Sequence, residues 1–351
     1  LLVDAHCTIG YAFFATARRL CATLEELSQA EKEKERERNM DILVYGAGVI
    51  GSVYAARLKE AGQNVSLLAR GQRAVSLRAH GIQLEDASTG RRTTIRVSIV
   101  EDLTPTDRYD VVLVTVRLDQ LHSILPILAA NRQIPTLLFL LNNPAGMRQF
   151  EQLDLQRIVP GFPAVGGVRK GDVVRYITLR QVPTMLGEAD GRMTPRIRQL
   201  AAIFKQAGFT VNLSPDMQMW LKTHAIMDMG IIAAVMMTGR KSAQLARSRS
   251  NVVMLVQAIR EGLLALRALG MPLTPFYLTL LFLWLPRWLT VILIQSLLRT
   301  RLSALGLDAH LDDDLEEIRQ MSGEIMAQLR SSPLATPTLN RLVVVLEQTT
   351  H

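Results

Sequence analysis

The sequence predicts an α/β fold in which a doubly wound, mostly parallel sheet is followed by an all-helical C-terminal domain. Three observations carry this. A short apolar run at 41–45 leads directly into Gly46-Ala47-Gly48-Val49-Ile50-Gly51 and then into helical spacing of small and apolar residues. Strand-length apolar runs then alternate with helical patterns as far as residue 179. From Ser214 onward the Met- and Leu-rich chain reads as helix. The chain has 351 residues, enough for two domains, which are expected at 40–213 and 214–351.

Composition narrows the classes of function. At 48% hydrophobic and 21% charged, the chain has the apolar material for a sizeable core, which excludes a disordered polymer. The net charge is +8, but no compact Lys/Arg block interleaved with aromatics is present, so no nucleic-acid partner is expected. A diffuse positive excess suits an anionic small ligand or has no functional meaning. Two cysteines, Cys7 and Cys21, leave neither a disulfide framework nor a Cys-based zinc site, and the simplest compartment is the cytoplasm.

Residues 1–39 are expected to lie outside the fold as a leader, with Met40 as the start of the folded body. They include a possible helix at 11–27 and the solvated charge run EKEKERER at 31–38. They lack the basic, apolar and small-residue succession of a signal peptide.

Strand 41–45 opens the body. In the glycine turn, Gly46 is expected to make the tight bend. Gly48 lets a pyrophosphate approach the backbone, and Gly51 lets helix and strand pack closely. The N–H groups that follow, through Val49 and Ile50, form the helix end on which an anion sits. Helix 52–61 ends at Gly62, and a second strand follows at 64–69. This strand–turn–helix–strand context makes the motif a Rossmann-type dinucleotide fingerprint. An acidic residue at the end of the second strand would hold a ribose 2′-hydroxyl. Arg70 stands there instead, which favours a 2′-phosphate and hence NADP(H) over NAD. The alternative for Arg70 and Arg73 is a solvated surface arginine. Further strands are expected at 110–116, 136–141 and 173–179, with a helix at 118–130 that Pro126 breaks or kinks.

On these residues the chain resembles the ketopantoate reductase (2-dehydropantoate 2-reductase) family. The opening M-D-I-L-V-Y-G-A-G-V-I-G is similar to the family's, and Arg70 matches its 2′-phosphate arginine. Val114-Thr115-Val116-Arg117 resembles a strand ending in lysine, here Arg117. Asn142-Asn143-Pro144-Ala145-Gly146 resembles an N-G-x-G turn whose asparagine, here Asn143, meets nicotinamide ribose and substrate. Gly167 falls where a family backbone touches the cofactor. Trp220-Leu221-Lys222 resembles the family's W-x-K, which implies Lys222 as catalytic proton donor, and Glu317 matches its active-site glutamate. The family's two substrate-gripping asparagines are replaced by Ile226 and Gly230, and its serine falls on Leu305, with Ser303 nearest. The resemblance therefore implies a 2-dehydropantoate 2-reductase-like enzyme that reduces a small 2-oxo acid to a 2-hydroxy acid with NADPH, with altered residues at the positions that grip the substrate.

Hydride delivery to a ketone leaves charge on oxygen, which an ammonium of lowered pKa both stabilises and protonates. Taken without the resemblance, Lys222 is an edge lysine that snorkels, and Glu317 belongs to a solvated acidic run. Glu317 is expected either to orient Lys222 or to bind substrate hydroxyl and ribose, and Arg117 to add positive charge near the pyrophosphate. His80, His122, His224 and His310 have no metal-ligand spacing, and His224 is expected outside the site. The apolar stretch 276–298, interrupted by Pro286-Arg287, is expected to form two buried helices that line a pocket or a homodimer interface. Attachment to a membrane surface is the alternative. Rival functions are a reductase of a more apolar ketone and a non-catalytic NADP-binding sensor.

Overall fold

The computed structural model describes residues 39–178, 182–300 and 315–348. The expected leader, Ser303 and Leu305 lie outside the described residues. In chain order the elements begin β1 (Asp41–Tyr45), α1 (Val49–Glu60), β2 (Asn64–Leu68), α2 (Gly71–His80), β3 (Ile82–Asp86), β4 (Arg92–Ile95) and β5 (Ser98–Val100). Then come β6 (Val111–Val114), α3 (Leu118–Ala130), β7 (Leu137–Leu140), β8 (Ile158–Phe162), β9 (Val165–Lys170), β10 (Val173–Thr178), β11 (Thr184–Leu186), α4 (Pro195–Gln206) and β12 (Val211–Leu213). The remainder is helical: α5 (Met217–Met237), α6 (Ser242–Arg247), α7 (Arg249–Ala268), α8 (Phe276–Thr279), α9 (Arg287–Leu298), α10 (Leu315–Leu329) and α11 (Pro337–Gln348).

The main sheet runs β12-β11-β8-β7-β6-β1-β2-β5. Its centre is parallel, with Tyr45 beside Leu68 on one side and Val114 on the other. This is the expected α/β class with a helical C-terminal region. Alternate residues of the central strands feed two cores, as period-2 side-chain geometry demands. Ile42, Val44, Leu113 and Leu138 pack with α1 and α4 on one face. Leu43, Tyr45, Val112 and Phe139 join a core on the other face that continues through Ala225, Met229, Leu255 and Leu342 of the helical region. The sheet and the helices thus share one apolar cluster.

Two expectations are corrected. The strand near 173–178 leaves the main sheet and joins a second one, β4-β3-β10-β9, that packs on α1. Helix α3 runs through Pro126 without breaking. Pro126 and His122, whose carbonyl loses its helical donor, are both on the exposed side, where water replaces the lost bond.

Helix α1 is held between the two sheets. Tyr54 stacks on Phe209 with centroids 4.2 Å apart and shares a 2.5 Å hydrogen bond with Thr184 Oγ1. Arg57 donates to the Tyr176 hydroxyl of β10. Helix α5 is, among the described residues, the one helix long and apolar enough to cross a membrane, and 72% of its apolar window is buried inside the protein.

Candidate functional site

The carboxyl ends of β2, β1, β6 and β7 are neighbours in the sheet, and each carries one sequence-predicted group. In that order they are Arg70, the turn Gly46–Gly51, the segment Thr115–Arg117 and the turn Asn142–Gly146. This is the edge of a parallel sheet at which α/β proteins place ligands.

Each glycine of the turn has a distinct physical requirement. Gly46 adopts φ +118°, closed to ordinary side chains. A Cβ on Gly51 would lie 1.9 Å from the Gly46 carbonyl oxygen, so only glycine lets α1 approach β1. Nothing lies within 4 Å of the corresponding point on Gly48, which leaves open space above the first turn of α1. No side chain caps that helix and no acidic residue stands in its first turn. Thr115 fixes the bend by donating to the carbonyls of Tyr45 and Gly46. An uncapped helix end under open space, without a competing carboxylate, fits a dinucleotide pyrophosphate.

Arg70 is the N-cap residue of α2. Its Nε donates to Glu101 O at 3.0 Å, and its guanidinium pairs with Asp102 at 3.5 Å while half exposed. Arg73 is far more enclosed, donating to Ser52 Oγ and Asp172 O, and burial with the nearby Arg169 charge lowers its pKa. Arg117 is engaged twice by Asp119, at 3.0 and 2.8 Å, so it adds less net charge to this edge than the sequence implies. Gly167 lies in β9 of the second sheet. A Cβ there would meet Arg175 O at 2.3 Å, a packing reason for glycine that involves no ligand.

Beyond β7, Asn143 is buried and closes its own turn. Its Nδ2 donates to Gly146 O at 3.0 Å and its Oδ1 accepts from Gly146 N at 3.1 Å. Lys222, 9% exposed on α5, reaches the same turn and donates to Pro144 O at 2.6 Å and to Gln328 Oε1 at 2.5 Å. Gln328 also donates to Pro144 O, at 3.0 Å. Burial pulls the Lys222 ammonium from 10.5 to about 8, and Arg148 adds to the fall. Glu324 and Asp216 act in the opposite sense.

The carboxylates whose charge acts on Lys222 include Glu324 and Asp216, which the sequence reading did not single out. Glu317, on the same helix α10, accepts from the Leu118 N–H at 3.0 Å and so meets the start of α3. Glu324 lies two turns further on and accepts from Gln149, Gln320 and the Ala145 N–H. Its own pKa is raised by burial. Glu324, Gln328 and Arg148 were missed by sequence reasoning. The available signal was a polar stripe at 317, 324 and 328, positions that share one face of an amphipathic helix.

His224 pairs with Asp228 at 3.2 Å and stacks on Trp220 with centroids 4.6 Å apart, and Asn142 donates to Asp228 at 3.0 Å. Ile226 and Gly230 face α7. Ile226 packs on Gly262, and a Cβ on Gly230 would meet Ile259 at 3.1 Å. Both are spent on helix packing. Among the described residues, no cluster of His, Cys, Asp and Glu is arranged to hold a metal ion.

These features define a protein with a Rossmann-like N-terminal region, whose strand ends meet one lysine-bearing helix of a helical C-terminal region. Residues 42–191 match the family model described as ketopantoate reductase PanE/ApbA, the family whose motifs the sequence resembles. A 2-dehydropantoate 2-reductase from Geobacter metallireducens GS-15 is similar over 88% of this chain and 99% of its own, at 18% identity and a TM-score of 0.70. A D-mandelate dehydrogenase, solved with NADH and anilino(oxo)acetate, is similar over 87% and 97%, at 16% identity and a TM-score of 0.70. A dimeric ketopantoate reductase from Staphylococcus aureus gives 87% and 97%, at 16% identity and a TM-score of 0.62. At these identities the likeness is one of fold. No curated protein sequence matches this chain.

Proposed function

We propose that this protein is an NADP(H)-dependent reductase that converts a 2-oxo acid to a 2-hydroxy acid. The observation that carries the reading is Lys222, an ammonium buried at the turn after β7 and held at about 8, beside a sheet edge suited to a dinucleotide. Residues Gly46 to Gly51 would hold the pyrophosphate, Arg70 the 2′-phosphate, and Asn143 the nicotinamide ribose and substrate. Arg117 would border the pyrophosphate. The bound dinucleotide supplies the hydride that reduces the carbonyl carbon. Lys222 donates its proton to the carbonyl oxygen as negative charge develops there, so the net change is one hydride and one proton added across C=O. With a pKa of about 8, the lysine remains mostly protonated near neutrality yet releases its proton more readily than a solvated lysine. Glu324 maintains that balance by its opposing charge, and Glu317 braces the helix that carries Glu324 and Gln328 against α3.

Because Ile226 and Gly230 are consumed by packing on α7, the substrate is recognised by other groups than in ketopantoate reductases. This supports a second reading in which the 2-oxo acid is larger or more apolar. The test is NADPH consumption over a panel of ketopantoate, branched-chain and aryl 2-oxo acids, with NADH in parallel. Turnover of at least one acid is expected, with NADPH preferred. Lys222→Ala should abolish it while leaving NADPH affinity within about threefold, since uniform cofactor binding does not involve the lysine. Absence of turnover across the panel, or an active Lys222→Ala enzyme, overturns the reading and favours a sensor.

A further inference from the structure

The apolar stretch 276–298 is divided at Pro286, as expected, but only one side of it is buried, which corrects the expectation of two buried helices. Helix α8 passes into a π-turn at Leu280–Trp284 and the chain restarts as α9. Helix α9 buries Thr290, Val291, Ile294 and Leu298 against the protein. Its opposite face carries Trp288, Ile292, Leu293 and Leu297, between 43% and 60% exposed. Soluble helices place polar side chains there. The preceding turn adds Phe276, Tyr277 and Trp284, each more than 60% exposed, with Phe276 and Trp284 ring to ring at 6.0 Å. The turn is built rather than frayed: Thr290 Oγ1 donates to Leu281 O at 2.7 Å, and Arg260 donates to Phe282 O.

The segment that builds this face is strongly basic. From 241 to 299 the sequence carries seven cations, Lys241, Arg247, Arg249, Arg260, Arg267, Arg287 and Arg299, against the single acid Glu261. That carboxylate is occupied by Thr338, Leu339 and Gln257. Arg287 and Arg299 flank α9 and are exposed, and Gln295 binds Ala246 O beside the exposed Arg247.

We infer that the open face of α9 and the turn before it form a docking surface for an anionic lipid bilayer. Two tryptophans and a tyrosine among aliphatic residues, bordered by arginines, match the interfacial zone of a membrane, where aromatic rings sit at headgroup depth and cations meet anionic lipid. Helix α9 has 12 residues, well short of the roughly 20 needed to span hydrocarbon, so it lies in the interface and does not cross it. A second copy of this chain is the competing occupant, and the measurements below separate the two.

The test is sedimentation of the full chain with vesicles of phosphatidylcholine alone and with about 30% phosphatidylglycerol, a composition chosen to supply the anionic surface potential. Tryptophan emission is followed in parallel. Binding is expected on the anionic vesicles, weakened at least tenfold by high salt, with a blue shift from Trp284 and Trp288, since Trp220 is already buried. The double variant Trp288→Ser/Leu293→Ser should lose at least tenfold in binding at unchanged turnover and near-ultraviolet circular dichroism. The wild-type emission shift serves as an independent reading should that variant fail to fold. No sedimentation and no blue shift with anionic vesicles overturns the inference. So does undiminished binding of a folded variant, or a concentration-dependent dimer that the same substitutions dissolve.

Discussion

Replacing Lys222 with methionine tests the site and the physics of its burial together. The ammonium falls from 10.5 in the unfolded chain to about 8 in the folded one, so the folded state favours the neutral amine. At ~1.4 kcal/mol per tenfold change in protonation, that fall corresponds to about 3 kcal/mol of native-state destabilisation near neutrality. Since the folded pKa is depressed, the wild-type protein is free of this penalty above pH 10.5 and acquires it progressively as pH falls to about 8. Lys222→Met carries no such group. Urea unfolding of both proteins at about pH 7 and about pH 9.5 should show the variant's advantage shrinking by about 2 kcal/mol at the higher pH, as linkage requires. Turnover should be lost at both. Parallel stability–pH curves would refute the claim that this lysine is held desolvated, and with it the argument for its acidity. A variant that gains stability while losing activity is the signature of a group retained for chemistry.

Other outcomes follow from the same geometry. Arg70→Ala should raise the NADPH dissociation constant by about 10- to 100-fold, the equivalent of ~1.5–3 kcal/mol for a charge-assisted pair, and leave NADH within about threefold. Fluorescence titration of both nucleotides reads this directly, and equal losses for the two would remove the 2′-phosphate assignment. Glu324→Gln withdraws a charge that supports the Lys222 ammonium, so the alkaline limb of kcat/KM against pH should move to lower pH. Arg148→Ala should move it the opposite way, and two shifts of the same sign would show that one of the two groups does not act through its charge.

The glycine turn could be read from sequence because its three requirements, a bend, an open approach and a close contact, fall within six contiguous residues. Gly46, Gly48 and Gly51 meet them as separate positions in the structure. The surroundings of Lys222 could not be read in the same way. Arg148, Glu324 and Gln328 come from a loop and a helix far away in the chain, and only the fold brings them to one lysine. Glu317 could be found by motif spacing, but spacing along a helix does not say which turn of it meets α5. The second sheet escaped notice because β3 and β4 are short and half polar, with little apolar alternation. For 276–298, hydropathy showed how apolar the segment is and where it breaks. Which face stays open depends on α6 and α7 filling the other one.

An ammonium is a tripod with three N–H legs. In Lys222 two of them already stand on Pro144 and Gln328, which are themselves linked. Tetrahedral nitrogen then leaves the third leg a single heading. In the proposed reaction, this long, flexible side chain would need no further rotational search, since two of its three N–H groups are already fixed by the protein.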